Sequence, residues 1–210
     1  MSESAYRYFV INKPYNMVSQ FVSPDKVRLL KHLDYEFPEG THAIGRLDTN
    51  SEGLLILTTN SRVTKLLFES KTPHARMYLV KVRGAVSEES VRQLREGISI
   101  TIKGPAEWVT TPCDVEIVEK PQDLFSHPYE QKEYVQHTWM RITLTEGKFH
   151  QVRKMTEAIG HRCIRLIRLS IEDLQLGDLM PGMVREVEED EFFSQLKIVY
   201  NKEKGLKRTA

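Results

Sequence analysis

The sequence predicts an α+β protein: a mixed, mainly antiparallel central sheet flanked by helices and loops. Three observations carry this expectation. Segments with alternating apolar residues and segments with helical spacing are interleaved irregularly. Several strand patterns follow one another directly, as hairpin-like pairs, where a doubly wound parallel fold requires regular strand–helix alternation. No internal repeat is present that would turn the same elements into a solenoid.

Taken in order, Tyr6 to Asn12 reads as a strand that stops at Lys13-Pro14. Val27, Leu29, Leu30, Leu33 and Phe37 are spaced for a short helix. Leu54 to Leu57 is an apolar strand-like run. Ser61 is placed to cap a helix whose inner face carries Val63, Leu66 and Leu67. Met77 to Val82 alternates and ends at Gly84, a strand. Ser87 is a good N-cap, and Glu88 and Glu89 suit the positive end of the helix dipole. That helix turns Val91 and Leu94 inward and stops at Gly97.

Strands follow around 98–102 and 115–118. Lys120 to His137 is polar, carries Pro121 and Pro128, and reads as an excursion from the sheet. Trp139 to Leu144 alternates again. Val152, Met155 and Ile159 have helical spacing, with Gly160 in the C-terminal capping position. Cys163 to Ile171 is strand-like, Pro181-Gly182 is a turn, and Asp190 to Leu196 suits a last helix.

The 210 residues suffice for one large domain or two small ones, and 40% hydrophobic content is a globular level. No apolar run reaches the length of a membrane span, and Met1 to Ala5 is followed by no signal-peptide core. The expectation is a cytoplasmic protein in which Cys113 and Cys163 stay reduced. The histidines are scattered, so no metal site is expected. Net charge is only +1, so a nucleic-acid surface requires local segregation of charge.

Such segregation exists. From Lys148 to Arg168 there are six Lys/Arg residues and two histidines against one acid, Glu157. This local field suits a polyanion, although charge runs also form ordinary solvated faces. Arg165 and Arg168 interrupt an apolar strand, where a charge is costly unless partnered. Upstream, Gly45-Arg46-Leu47-Asp48 places one carboxylate beside one cation just before the apolar run. Asp48 is either a catalytic carboxylate at a strand mouth or a turn residue bonding its own backbone. Tyr78 is either a strand residue or an aromatic face for an extruded base.

Read together and in order, these stretches resemble the RNA pseudouridine synthases, in the branch named for the small-subunit enzyme RsuA. Asn12-Lys13-Pro14 is similar to the first family motif. Gly45-Arg46-Leu47-Asp48, with Glu52-Gly53-Leu54-Leu55, is similar to the second, and Tyr78 falls at the family's active-site tyrosine. Gln151-Val152-Arg153-Lys154-Met155, Gly160-His161 and Leu166-Ile167-Arg168 are similar to the last. One departure is Lys148-Phe149-His150, where the family is usually more basic or carries Asn.

The resemblance implies the pseudouridine synthase fold, no cofactor, and Asp48 as nucleophile. It implies that Tyr78 packs against the target uracil, that Arg153 pairs with Asp48, that Leu166 walls the pocket and that Arg46 fills the gap left by the flipped nucleotide. Lys148, His150, Lys154, Arg165 and Arg168 are the expected RNA contacts. A catalytic domain over 6–198 and a basic tail over 199–210 follow, with no room for an N-terminal S4 module. The implied partner is 23S ribosomal RNA or a ribosomal precursor, bound by a monomer without an obligatory protein partner. Small-subunit RNA, transfer RNA and a non-catalytic assembly role are the alternatives. A nucleoside hydrolase fits less well, because such enzymes usually need a pair of carboxylates.

Overall fold

A computed structural model describes residues 6–69, 72–104, 106–127 and 135–200. The central sheet is mixed but nearly all antiparallel, in keeping with the α+β expectation. Its strands are β1 (Tyr8–Lys13), β2 (His42–Ile44), β3 (Glu52–Thr58), β4 (Arg76–Arg83), β7 (Asp114–Val118), β8 (His137–Leu144), β9 (Cys163–Ile171), β10 (Leu174–Gln175) and β11 (Val184–Val187). Across the sheet they run β11-β1-β3-β9-β4-β8-β7, with β2 beside β3 and β10 beside β9. A separate hairpin joins β5 (Ser99–Lys103) to β6 (Ala106–Val109). The helices are α1 (Val63–Phe68), α2 (Glu88–Glu96), α3 (Gln151–Ala158) and α4 (Glu189–Gln195). Among the described residues, no helix is long and apolar enough to cross a membrane.

The sheet is held by apolar faces. Tyr8, Val10, Leu54, Ile56 and Ile167 pack under α1 and α4, while Phe9, Ile11, Leu55 and Leu57 pack on the other side under residues 30–37. A further core joins Val80, Val82, Met140 and Ile142 to Val91 and Leu94 of α2 and Met155 of α3. Where β3 meets β9 the pairing turns parallel for Glu52–Ile167 and Gly53–Arg168. Gly53 has φ +99°, and a Cβ there would lie 2.3 Å from the Arg168 carbonyl oxygen. Only glycine permits that approach, and it brings the strand after Asp48 against the strand carrying Leu166 and Arg168.

Local signals produced local structure. Ser87 caps α2 by accepting from the Ser90 N–H, and Val91 and Leu94 are buried. Elsewhere distant partners decide. The helix expected over Val27 to Phe37 is a single 3-10 turn, Leu30–His32. Its backbone is engaged from outside: the Leu30 N–H donates to the Gln20 carbonyl, and the Arg28 carbonyl accepts from Val18. Ser61 does not cap α1; Asn60 Oδ1 accepts from the Arg62 N–H at 3.1 Å instead. Residues 128–134 of the expected excursion and residues 201–210 of the expected basic tail lie outside the described residues. Cys113 and Cys163 are free thiols, each pushed up to about 11 by burial.

Candidate active site

The turn over 45–51 is held from several sides. Ser19 accepts from the Leu47 N–H at 3.0 Å and donates to the Leu47 carbonyl at 2.9 Å. The Ser51 N–H closes the turn onto the Asp48 carbonyl at 3.0 Å. Beneath it lies Lys13, fully buried, whose ammonium donates to the carbonyls of Pro14 and Met17 at 2.9 and 2.6 Å and reaches that of Thr49 at 3.5 Å. Burial pushes Lys13 down to about 7, against the opposing pull of Glu52 and Asp48.

The turn projects Asp48 into a cleft of about 700 Å³. Arg46, Tyr78, Lys148, His150, Leu166 and Arg168 line it as well. The topology explains the convergence. Tyr78 sits on β4 directly opposite Arg168 on β9, at a register shift in the ladder, and Leu166 lies two residues back along β9. Arg168 is buried; its Nε donates to the Leu54 carbonyl at 2.8 Å, and its Nη2 has no hydrogen-bond partner among the described residues.

The opposite lip is the segment over 145–150, ending in His150, which has the left-handed conformation (φ 55°) before α3 begins. His150 Nε2 lies 3.3 Å from Asp48 Oδ1, with the carboxylate side chain 30% exposed. Glu146 pins this lip, accepting from Trp108 Nε1, the Thr111 N–H and Gln151 Nε2. Lys148 stands 3.6 Å from the centroid of the Trp108 ring, so the β5–β6 hairpin braces the lip as well. Lys154 donates to the Ile102 carbonyl on the same hairpin.

The chain matches the family model described as RNA pseudouridylate synthase over residues 7–158. It is 35% identical to ribosomal large subunit pseudouridine synthase E of Vibrio parahaemolyticus, over 87% of this chain and 74% of that one. The chain belongs to the RNA pseudouridylate synthase family. It is also 30% identical to ribosomal small subunit pseudouridine synthase A of Yersinia pestis, over 90% of this chain and 72% of that one. A crystal structure of a pseudouridylate synthase superposes with TM-score 0.72 at 26% identity, covering 90% of this chain and 74% of that one. The fold is therefore the pseudouridine synthase fold, and the protein is an enzyme of that isomerase class.

Against this family background, two expectations change. Arg153 does not contact Asp48. Its Nη2 donates to the Asn50 carbonyl at 2.8 Å and to Ser51 Oγ at 3.2 Å, bracing the back of the turn while His150 meets the carboxylate. Arg165 is not on an RNA-facing surface: its side chain is 4% exposed and forms a two-pronged ion pair with Glu52 at 2.9 and 3.1 Å. It also donates to the Phe125 carbonyl at 2.9 Å, tying the described start of the 120–137 excursion to the sheet.

Arg76, Phe149 and Lys13 had no place among the expected site residues, although Lys13 stands in the first motif and Phe149 in the departure from the last. Arg76 lines the same cleft as Tyr78; their i, i+2 spacing on one strand was the available signal. Phe149 lines the cleft mouth. Two of the carbonyls that hold Lys13, those of Pro14 and Met17, follow it closely in the chain, and only that of Thr49 comes from the distant turn.

Proposed function

We propose that this pseudouridine synthase isomerises one uridine of large-subunit (23S) ribosomal RNA, with Asp48 as the catalytic carboxylate. The observation that carries the reading is the placement of Asp48 in a cleft with one apolar wall, Leu166, and one aromatic face, Tyr78, rimmed by the cations Arg46 and Lys148. The reaction breaks the bond between N1 and the sugar and joins C5 to the same carbon. N1 gains a proton and C5 loses one, so no oxidant is consumed. Asp48 serves either as nucleophile at the sugar or uracil, or as the base that takes a sugar proton.

The target base leaves its stack, packs on Tyr78 and presents its carbonyls to Arg168. Arg46 fills the gap left by the flipped nucleotide, and Lys148 and Lys154 neutralise backbone phosphates. His150 holds the carboxylate, and Arg153 acts on the catalytic turn through Asn50 and Ser51. The 120–137 excursion adds substrate recognition. Residues 6–198 act as the catalytic domain of a cytoplasmic monomer that needs no partner protein.

The large-subunit choice is favoured by the Vibrio relative's 35% identity, against 30% for the Yersinia small-subunit enzyme. Mapping pseudouridine across all ribosomal and transfer RNAs in a host lacking the gene tests it. One large-subunit uridine should be unmodified, restored by the wild-type gene and not by Asp48→Asn. Loss confined to small-subunit or transfer RNA rejects the substrate, and restoration by Asp48→Asn rejects the role of Asp48.

A further inference from the structure

The cleft mouth carries a side chain that the reaction does not require. Phe149 is 68% exposed although it lies on the wall of the catalytic cleft. Leaving an aromatic ring of this size in water forgoes burial that folding normally exploits. The ring is nonetheless held in place. It stacks on His150, with centroids 3.8 Å apart and planes 19° from parallel. His150 in turn reaches Asp48. The left-handed backbone of His150, a costly conformation for a residue with a Cβ, sets the bend between the lip and α3.

The surroundings define what such a ring can receive. Lys154 has its ammonium 5.3 Å from the Phe149 centroid, and Lys148 precedes it in sequence. Glu146, the acid of this lip, is occupied by its three donors. A large exposed aromatic flanked by cations, with the nearby acid engaged, is the composition of a surface for single-stranded nucleic acid. An apolar protein partner would instead meet uncompensated ammonium groups on desolvation. Flipping a uridine also strips its neighbour of a stacking face, and an aromatic ring replaces that face for any base.

We infer that Phe149 is a stacking platform for the unpaired nucleobase adjacent to the target uridine, a subsite separate from the uracil pocket at Tyr78. It rests on the RNA substrate proposed above. Stacking there favours a purine modestly, through its larger π-surface, and reads no hydrogen-bond pattern. Because the Phe149 ring continues through His150 to Asp48, a base seated on it also restrains the group that holds the carboxylate.

The test uses an RNA fragment that the wild-type enzyme is first seen to modify, so the substrate is established before Phe149 is questioned. Each nucleotide flanking the target is replaced in turn by an abasic ribose, and turnover is measured with wild type, Phe149→Ala and Phe149→Trp. Phe149→Ala should raise KM about tenfold on intact RNA, within the range of one base–aromatic stack, and Phe149→Trp should restore it. One abasic position should raise the wild-type KM equally and add nothing in Phe149→Ala. The salt dependence of affinity should be the same in wild type and Phe149→Ala, since no charge is removed. An unchanged KM in Phe149→Ala overturns the inference, as does a loss that adds fully to that of every abasic position. A fall in kcat alone, indifferent to the flanking bases, also overturns it and leaves Phe149 as a prop for His150.

Discussion

His150 Nε2 stands 3.3 Å from Asp48 Oδ1, across the junction between the 45–51 turn and the start of α3. The lip of the cleft meets the carboxylate, while Arg153, in the first turn of that helix, holds the turn at Asn50 and Ser51. One segment thus touches both the backbone of the turn and the Asp48 carboxylate.

Substitution should separate these roles. Asp48→Asn should lower single-turnover pseudouridine formation by at least a hundredfold, the scale of a lost nucleophile or general base. RNA binding and thermal unfolding should remain close to wild type. His150→Ala should cost about tenfold in the same assay, the scale of losing one polar contact to a charged group. Equal losses in the two variants would show that His150 is itself indispensable to the chemical step.

The surface electrostatics yield a salt dependence. If about four phosphates are neutralised, the log–log slope of RNA affinity against salt should be roughly −3 for single-stranded RNA. Lys148→Gln and Lys154→Gln should each flatten it by about 0.7, one phosphate's share. Tyr78→Ala should leave it alone. Filter binding or fluorescence anisotropy from low to moderate salt reads the slope, and a salt-independent affinity would reject the phosphate contacts.

What the sequence revealed and concealed follows the range of the interactions. The α2 cap at Ser87, the alternation of β4 and the run of β9 depend on neighbours within a few residues, and all were legible. The Leu30 segment depends on partners outside itself, and Arg165 on a partner far along the chain. Arg165 is 113 residues from Glu52, so its charge looked like part of a basic surface until the sheet brought the carboxylate beside it. The site was legible as a set of residues, because Asp48, Tyr78, Leu166 and Arg168 line one cleft. Their pairwise contacts were not, as the exchange of His150 for Arg153 at the carboxylate shows.

The Glu52–Arg165 pair makes a stability prediction. Both side chains are almost fully buried, at 2% and 4% exposure. Glu52→Gln leaves the guanidinium buried without its counter-charge and should cost about 3–5 kcal/mol. Replacing both partners by apolar residues, Glu52→Leu with Arg165→Met, should recover much of that loss. Chemical denaturation of the single and double variants measures it. A single variant within about 1 kcal/mol of wild type would mean that water reaches the pair.

Lys13 gives a pH dependence whose sign can be worked out. In the unfolded chain its ammonium keeps its proton to about pH 10, whereas in the folded protein burial pushes it down to about 7. Between those values the unfolded state binds more protons, so this group makes stability rise with pH. Below about 7 both states are protonated and its contribution is flat. The slope cannot exceed about 1.4 kcal/mol per pH unit. Lys13→Met removes the titration, and also removes the bonds to the Pro14 and Met17 carbonyls at every pH. The informative quantity is therefore the difference in unfolding free energy between wild type and Lys13→Met, followed from pH 6 to 9. It should be level up to about pH 7 and then move in favour of wild type, by about 2 kcal/mol at pH 9. A difference that stays level throughout would mean that the surrounding carbonyls keep the ammonium charged, and that the 45–51 turn rests on a permanent cation.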